Sequence, residues 1–153
     1  MDNNQSKTEI QLRLLKVQET GFFMDSVLLS TIEENKPDLF NIEFGLQLEP
    51  KVSLNILNLH LIVRYILTAN SQSEKVVELQ TSNSFEIIDL EKLMSISDSE
   101  ITDNNSIIPT ILGVALGTLR GILVVKTAGT ILADFPLPIV NPTELCSSMY
   151  AKK

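Results

Sequence analysis

The chain of 153 residues has no tryptophan, one histidine and one cysteine, and aromatic residues make up 5% of it. Each shortage removes a class of chemistry. A lone thiol, Cys146, cannot form an internal disulfide, and no basic residue beside it favours the thiolate, so it reads as a small buried hydrophobe. A lone imidazole leaves no His-His or His-Cys spacing for zinc. Neither a glycine-rich phosphate loop nor a Gly-x-Ser-x-Gly nucleophile elbow follows a strand-like run. With so few aromatic rings there is no stacking platform for bases. Cations are also short, 12 Lys and Arg against 19 Asp and Glu for a net charge of −7, and that field repels phosphate polyanions. The sequence therefore predicts a non-enzyme with no catalytic residue, no metal, no cofactor and no nucleic-acid partner. Residues 1–9 lack the basic and apolar regions of a secretory signal, which together with the unpaired cysteine points to the cytoplasm.

What the chain does have is aliphatic residues in patterned runs. Its length suits one core that buries roughly 70% of the unfolded surface without disulfides or metals. We expect one domain over residues 1–153, with 1–9 and 151–153 as flexible ends. Ile10, Leu12 and Leu14 alternate with polar residues as in a strand, and Leu15 and Val17 break the phase, so either a bulge falls near Leu14-Leu15 or the strand is covered on both faces. Thr20 to Leu39, with Phe22, Phe23 and Met24 at its start, has poor periodicity and reads as a long connection. Those three residues either cover a core edge or are offered to a partner.

Alternation returns at Phe40, Ile42, Phe44, Leu46 and Leu48, then over Val52 to Leu67 and over Val77 to Ile87, with a turn at residues 70–73. Strands joined by short connections pair antiparallel. Asp89 to Met94 reads as a helical turn and Ser95 to Ser106 as a polar, acidic linker. On one strand face His60 has Asn58 and Arg64 beside it. A lone strand histidine is usually structural, and the rival reading is a small-ligand enzyme using His60, Arg64 and nearby carboxylates. The remaining acidic residues, such as Glu43, Glu49 and Glu78, read as solvated faces in which no acid-base pair stands out.

Ile108 to Val125 is nearly all apolar and contains three glycines that a strand would not tolerate, so it reads as a long helix with Pro109 in its first turn. It has the length of a membrane span, but Arg120 near its middle and the amphipathic strands elsewhere predict a helix buried by protein, without membrane insertion. Gly113, Gly117 and Gly121 recur every four residues on one side, where another backbone can approach closely. That backbone belongs either to this chain's sheet or to a helix of a second subunit. Arg120 is then an exposed or interface-paired charge. Asn141, Pro142 and Glu144 have the residue types of a helix cap, first and third position, and predict a short final helix.

This order of elements resembles the SecB-type export chaperone family and its SecB-like relatives over nearly the whole chain. Ile108-Pro109-Thr110-Ile111-Leu112 looks like the start of the family's long helix, with Arg120-Gly121-Ile122 inside it. Leu137-Pro138-Ile139-Val140-Asn141-Pro142-Thr143-Glu144-Leu145 is similar to the family's Pro-x-Asn-Phe-Asp-x-Leu passage. The resemblance implies an α+β fold: a four-stranded antiparallel sheet, a long apolar helix and a short C-terminal helix, assembled as a dimer of dimers with Gly113, Gly117 and Gly121 between subunits. It also implies a polypeptide-binding groove, whose candidates here are Phe22, Phe23, Met24, Phe40, Leu145, Met149 and Tyr150. Such a chaperone needs no catalytic residue, because many weak apolar contacts and several subunits hold the client. The family's Phe-Asp pair is Pro142-Thr143 here, and the sequence ends at Lys153 without the tail that helps engage the translocase ATPase. Preprotein export and a dedicated client such as an aggregation-prone antitoxin therefore both stand as expectations. Beside them stands an oligomeric interaction module of the same fold without chaperone activity.

Overall fold

A computed structural model describes residues 9–33, 38–69, 72–96, 101–103 and 105–149 of the chain. The fold is α+β: a four-stranded antiparallel sheet followed by a long helix and a short C-terminal helix. The strands are β1 (Leu12–Met24), β2 (Phe40–Lys51), β3 (Ile56–Ala69) and β4 (Gln72–Ile87), in the spatial order β1-β4-β3-β2. A short helix, α1 (Ser26–Ser30), follows β1, and another, α2 (Leu90–Leu93), follows β4. A small hairpin of β5 (Met94–Ile96) and β6 (Ile101–Asp103) leads to α3 (Ile107–Lys126), and α4 (Pro142–Met149) comes last.

Period-two patterning decides which face is covered. Leu57, Leu59, Leu61, Val63 and Tyr65 of β3, with Val77, Leu79, Phe85 and Ile87 of β4, are buried on one face. Against them lie Ile108, Ile111, Leu112, Ala115, Leu116, Leu119 and Leu123 of α3. The opposite sheet face is more open and mixed, with Arg64, Glu78, His60 and Glu49 beside half-buried Ile62 and Ile66. Two groups on the covered face break the pattern. Thr81 and Asn83 are buried, and the Thr81 hydroxyl and both polar atoms of the Asn83 amide have no hydrogen-bond partner among the described residues.

The helix ends follow from their capping groups. Ser106 takes a left-handed conformation, so the cap of α3 comes from upstream: the Asp103 carboxylate accepts from the Ile107 and Ile108 N–H groups at 2.9 and 2.8 Å. Pro109 has no N–H to satisfy in that first turn. At α4 the Asn141 side chain accepts from Thr143 N–H at 2.9 Å, with Pro142 as the first helical residue.

Three expectations change. Gly21 to Met24 is not loop: β1 runs through it, with Phe22 facing Leu79 and Met24 facing Val77 on the covered side. A register irregularity between Glu19 and Gly21 had hidden the alternation. Val52–Leu54 is a 3₁₀ turn rather than strand, followed by Asn55 in a left-handed conformation, which reverses the chain into β3. The acidic linker contains the β5–β6 hairpin. Of the two explanations for Leu15 and Val17, the structure has a register irregularity between Leu14 and Lys16, and both faces of β1 are exposed there. The expectations for residues 1–8 and 150–153 lie outside the described residues.

Candidate functional site

The candidate surfaces border α3, which divides them into two flanks. On one flank the chain doubles back after α3. Tyr65 donates a hydrogen bond from its hydroxyl to the Phe135 carbonyl at 3.0 Å, and Phe40 packs edge-on against both rings, with centroids 6.0 Å from Tyr65 and 5.0 Å from Phe135. Farther along, Arg120 donates from Nε to the Leu137 carbonyl at 3.2 Å and from Nη2 to the Pro138 carbonyl at 3.1 Å. Arg120 therefore ties the extended connection to α3 instead of standing as a free surface charge. Gly113 then faces Pro142 of α4: a methyl group on Gly113 would come within 3.5 Å of the proline Cγ. Between the end of α3, the 3₁₀ turn and the connection lies a cavity of about 250 Å³. Leu123, Leu132, Phe135 and Leu137 supply much of its apolar lining, and Tyr65 and Arg120 are among its polar groups.

The other flank faces β1. With about 3.6 residues per turn, Val114, Thr118, Ile122 and Val125 lie on the side of α3 away from Gly113 and Arg120. Lys126 joins the helix end to β1, with an ion pair to Glu19 at 2.8 Å and its ammonium 4.7 Å from the Phe22 ring centre. Little else covers the strand. Leu12, Leu14 and Val17, whose registered partners Ile87, Phe85 and Asn83 are buried, are themselves 37–42% exposed. Val125 is 77% exposed. Methyl groups at Gly117 or Gly121 would meet no atom within 4 Å. The glycine series thus divides: Gly113 meets α4 of its own chain, while Gly117 and Gly121 look outward. None of the three approaches the sheet.

The candidate groove residues divide in the same way. Phe22, Phe23 and Met24 end β1 at one sheet edge; Phe22 and Met24 are half-buried against the core, and Phe23 faces the open side with Lys75 Nζ 4.8 Å from its ring centre. Phe40 begins β2 at the opposite edge, and Leu145 packs on the core from α4. One subunit does not bring the two groups together. Met149 ends α4, and Tyr150 lies outside the described residues. The cavity was missed in the sequence because its walls come from residues far apart. A faint sign was the Phe135-Pro136 pair just after Gly129, which has a φ of +82°.

Two ion pairs stand out on the open face. His60 Nε2 lies 2.9 Å from Glu49 Oε2, a contact that lowers the Glu49 pKa. Glu78 accepts from Arg64 Nε at 2.6 Å, and also from Gln80 and Lys75, so its carboxyl is held down to about 2, mainly by the Arg64 bond. His60 and Arg64 thus face different carboxylates on different neighbouring strands. Burial, and secondarily the charge of Asp103, raises the pKa of half-buried Cys146, which fits a packing role. Among the described residues no cluster of three or more His, Cys, Asp or Glu side chains could hold a metal ion.

No known protein family matches the chain, and no curated protein matches it. Among solved structures, the crystal structure of a protein of unknown function from Streptococcus agalactiae is similar, with a TM-score of 0.45 and 15% identity. The match covers 86% of this chain and 98% of that one. A likeness this distant bears on neither family nor function.

Proposed function

We propose that this protein is a SecB-like, non-enzymatic chaperone that binds non-native polypeptide through apolar surface and works as a homo-oligomer, a dimer of dimers, in the cytoplasm. The observation that carries this reading is apolar surface beyond what one subunit covers. Leu12, Leu14 and Val17 on an edge strand are 37–42% exposed, and Val114 and Val125 on the outward part of α3 are 44% and 77% exposed. Apolar side chains left open on both elements are what a partner surface would cover. Assembly covers part of it: Gly117 and Gly121 let a second helix approach closely, and the outer edge of β1 offers backbone groups to another strand.

The candidate client surface is what assembly leaves open, namely Phe22 to Met24 on one edge and Phe40 with α4 on the other. Since one subunit separates these groups, a long groove joining them requires neighbouring subunits. An export substrate or an antitoxin suits such a groove equally, and the translocase ATPase is a partner only in the first case. The experiment is an amide-shift map of the protein titrated with a reduced, permanently unfolded polypeptide. Shifts centred on Phe22 to Met24, Phe40 and Leu145 support the reading, whereas a map without them contradicts it. A second reading, an oligomeric interaction module without chaperone activity, is favoured by the half-burial of Phe22 and Met24 against the core.

A further inference from the structure

The cavity beside α3 combines features that the chaperone reading does not use. Its walls are aliphatic and aromatic, and at interior packing density its volume admits about ten non-hydrogen atoms. One wall carries a guanidinium. Arg120 has five N–H groups, and its two observed hydrogen bonds, to the Leu137 and Pro138 carbonyls, occupy two of them. Both acceptors are neutral, and no ion pair with a carboxylate is found for Arg120 among the described residues. A cation set in an apolar wall against neutral dipoles favours a ligand that brings a negative charge with a hydrocarbon body.

We propose that this cavity binds a small apolar carboxylate, its hydrocarbon among Leu123, Leu132, Phe135 and Leu137 and its carboxylate on Arg120. Tyr65 suits that occupant. Its one O–H is held by the Phe135 carbonyl, and burial outweighs the pull of Arg120 and pushes the phenol up to about 12, so the ring stays neutral and does not repel an anion. Size sets the class: a chain of about eight carbons with one carboxylate fills the space, whereas a long-chain acid exceeds it. The proposal does not rest on the chaperone reading, because one chain supplies both the cavity and Arg120.

The test is calorimetric titration of the full chain with octanoate, and with octan-1-ol and octylamine as probes sharing the same tail. Octanoate should bind at one site per chain at least tenfold more tightly than octan-1-ol, and octylamine more weakly still. Amide shifts in the wild-type protein should centre on residues 120–137. Arg120→Met should bring octanoate to the octan-1-ol level, and Ala133→Trp, which fills the cavity from its lining, should remove both. The wild-type titration and its shift map decide the matter even if a variant fails to fold. Equal affinity for octanoate and octan-1-ol, no octanoate binding, or shifts centred on β1 would overturn the proposal.

Discussion

Replacing Gly117 with leucine should move two measurable quantities in opposite directions. Within one subunit the position is open, since a methyl group there would touch nothing within 4 Å. The helix itself gains, because glycine in a helix interior costs about 0.8–1 kcal/mol relative to alanine and leucine is nearly as good as alanine. The isolated subunit should therefore be more stable by about 0.5–1 kcal/mol. In the proposed helix contact between subunits the same leucine would overpack, which costs about 1–3 kcal/mol per substituted chain. A two-fold interface carries the change twice, so association weakens by about 2–6 kcal/mol, or at least about thirtyfold. The assay is sedimentation velocity over a hundredfold range of concentration, with urea denaturation of the dilute protein alongside. A smaller particle with a higher denaturation midpoint is expected. Unchanged mass would remove α3 from the interface, and a less stable monomer would mean that the outward face of the helix is misassigned.

Other perturbations address the core, the open sheet face and the acid titration. Thr81→Val replaces an unpaired buried hydroxyl with a methyl group of similar shape and should stabilise the protein by about 1 kcal/mol in urea denaturation; a loss would show that the hydroxyl has a partner. Glu78 has its pKa lowered from 4.5 to about 2, so its contribution is complete above about pH 4.5 and is lost as pH falls toward 2. Glu78→Gln should accordingly cost about 1–2 kcal/mol at pH 7 and flatten the decline of stability with acid over that window. Equal acid profiles for the two proteins would show that the Arg64–Glu78 pair contributes nothing. His60→Ala on the exposed Glu49 pair should leave the urea midpoint at pH 7 unchanged; a clear drop would give that pair a structural role.

The sheet and the helices were readable because their signals are local. Phe40 to Leu48 and Val77 to Ile87 alternate cleanly, and their inward residues lie in the core or pack against it, apart from polar Thr81 and Asn83. The run around Gly113 could only be helical, and Asn141-Pro142 marks the start of α4 by type and position. The rest was hidden by features that act across the sequence. A register irregularity displaced the phase of β1 before Gly21, so Phe22 and Met24 looked like loop residues although they point to the core. Val52 and Leu54 continued the strand pattern through what is a turn. Arg120 looked like a charge for solvent or a partner subunit, because its acceptors at Leu137 and Pro138 become neighbours only after the chain doubles back. Tyr65 and Phe135 are 70 positions apart, and no local pattern joins them into a cavity wall.

Apolar surface engaging unfolded chains is the core of the chaperone proposal, and the direct measurement is suppression of aggregation of a chemically denatured model polypeptide, with the protein's mass recorded by light scattering in the same samples. Suppression at near-stoichiometric ratios by a particle larger than one 17.0 kDa chain is expected. An oligomer that leaves aggregation unchanged would contradict it and leave the interaction module as the function of the fold.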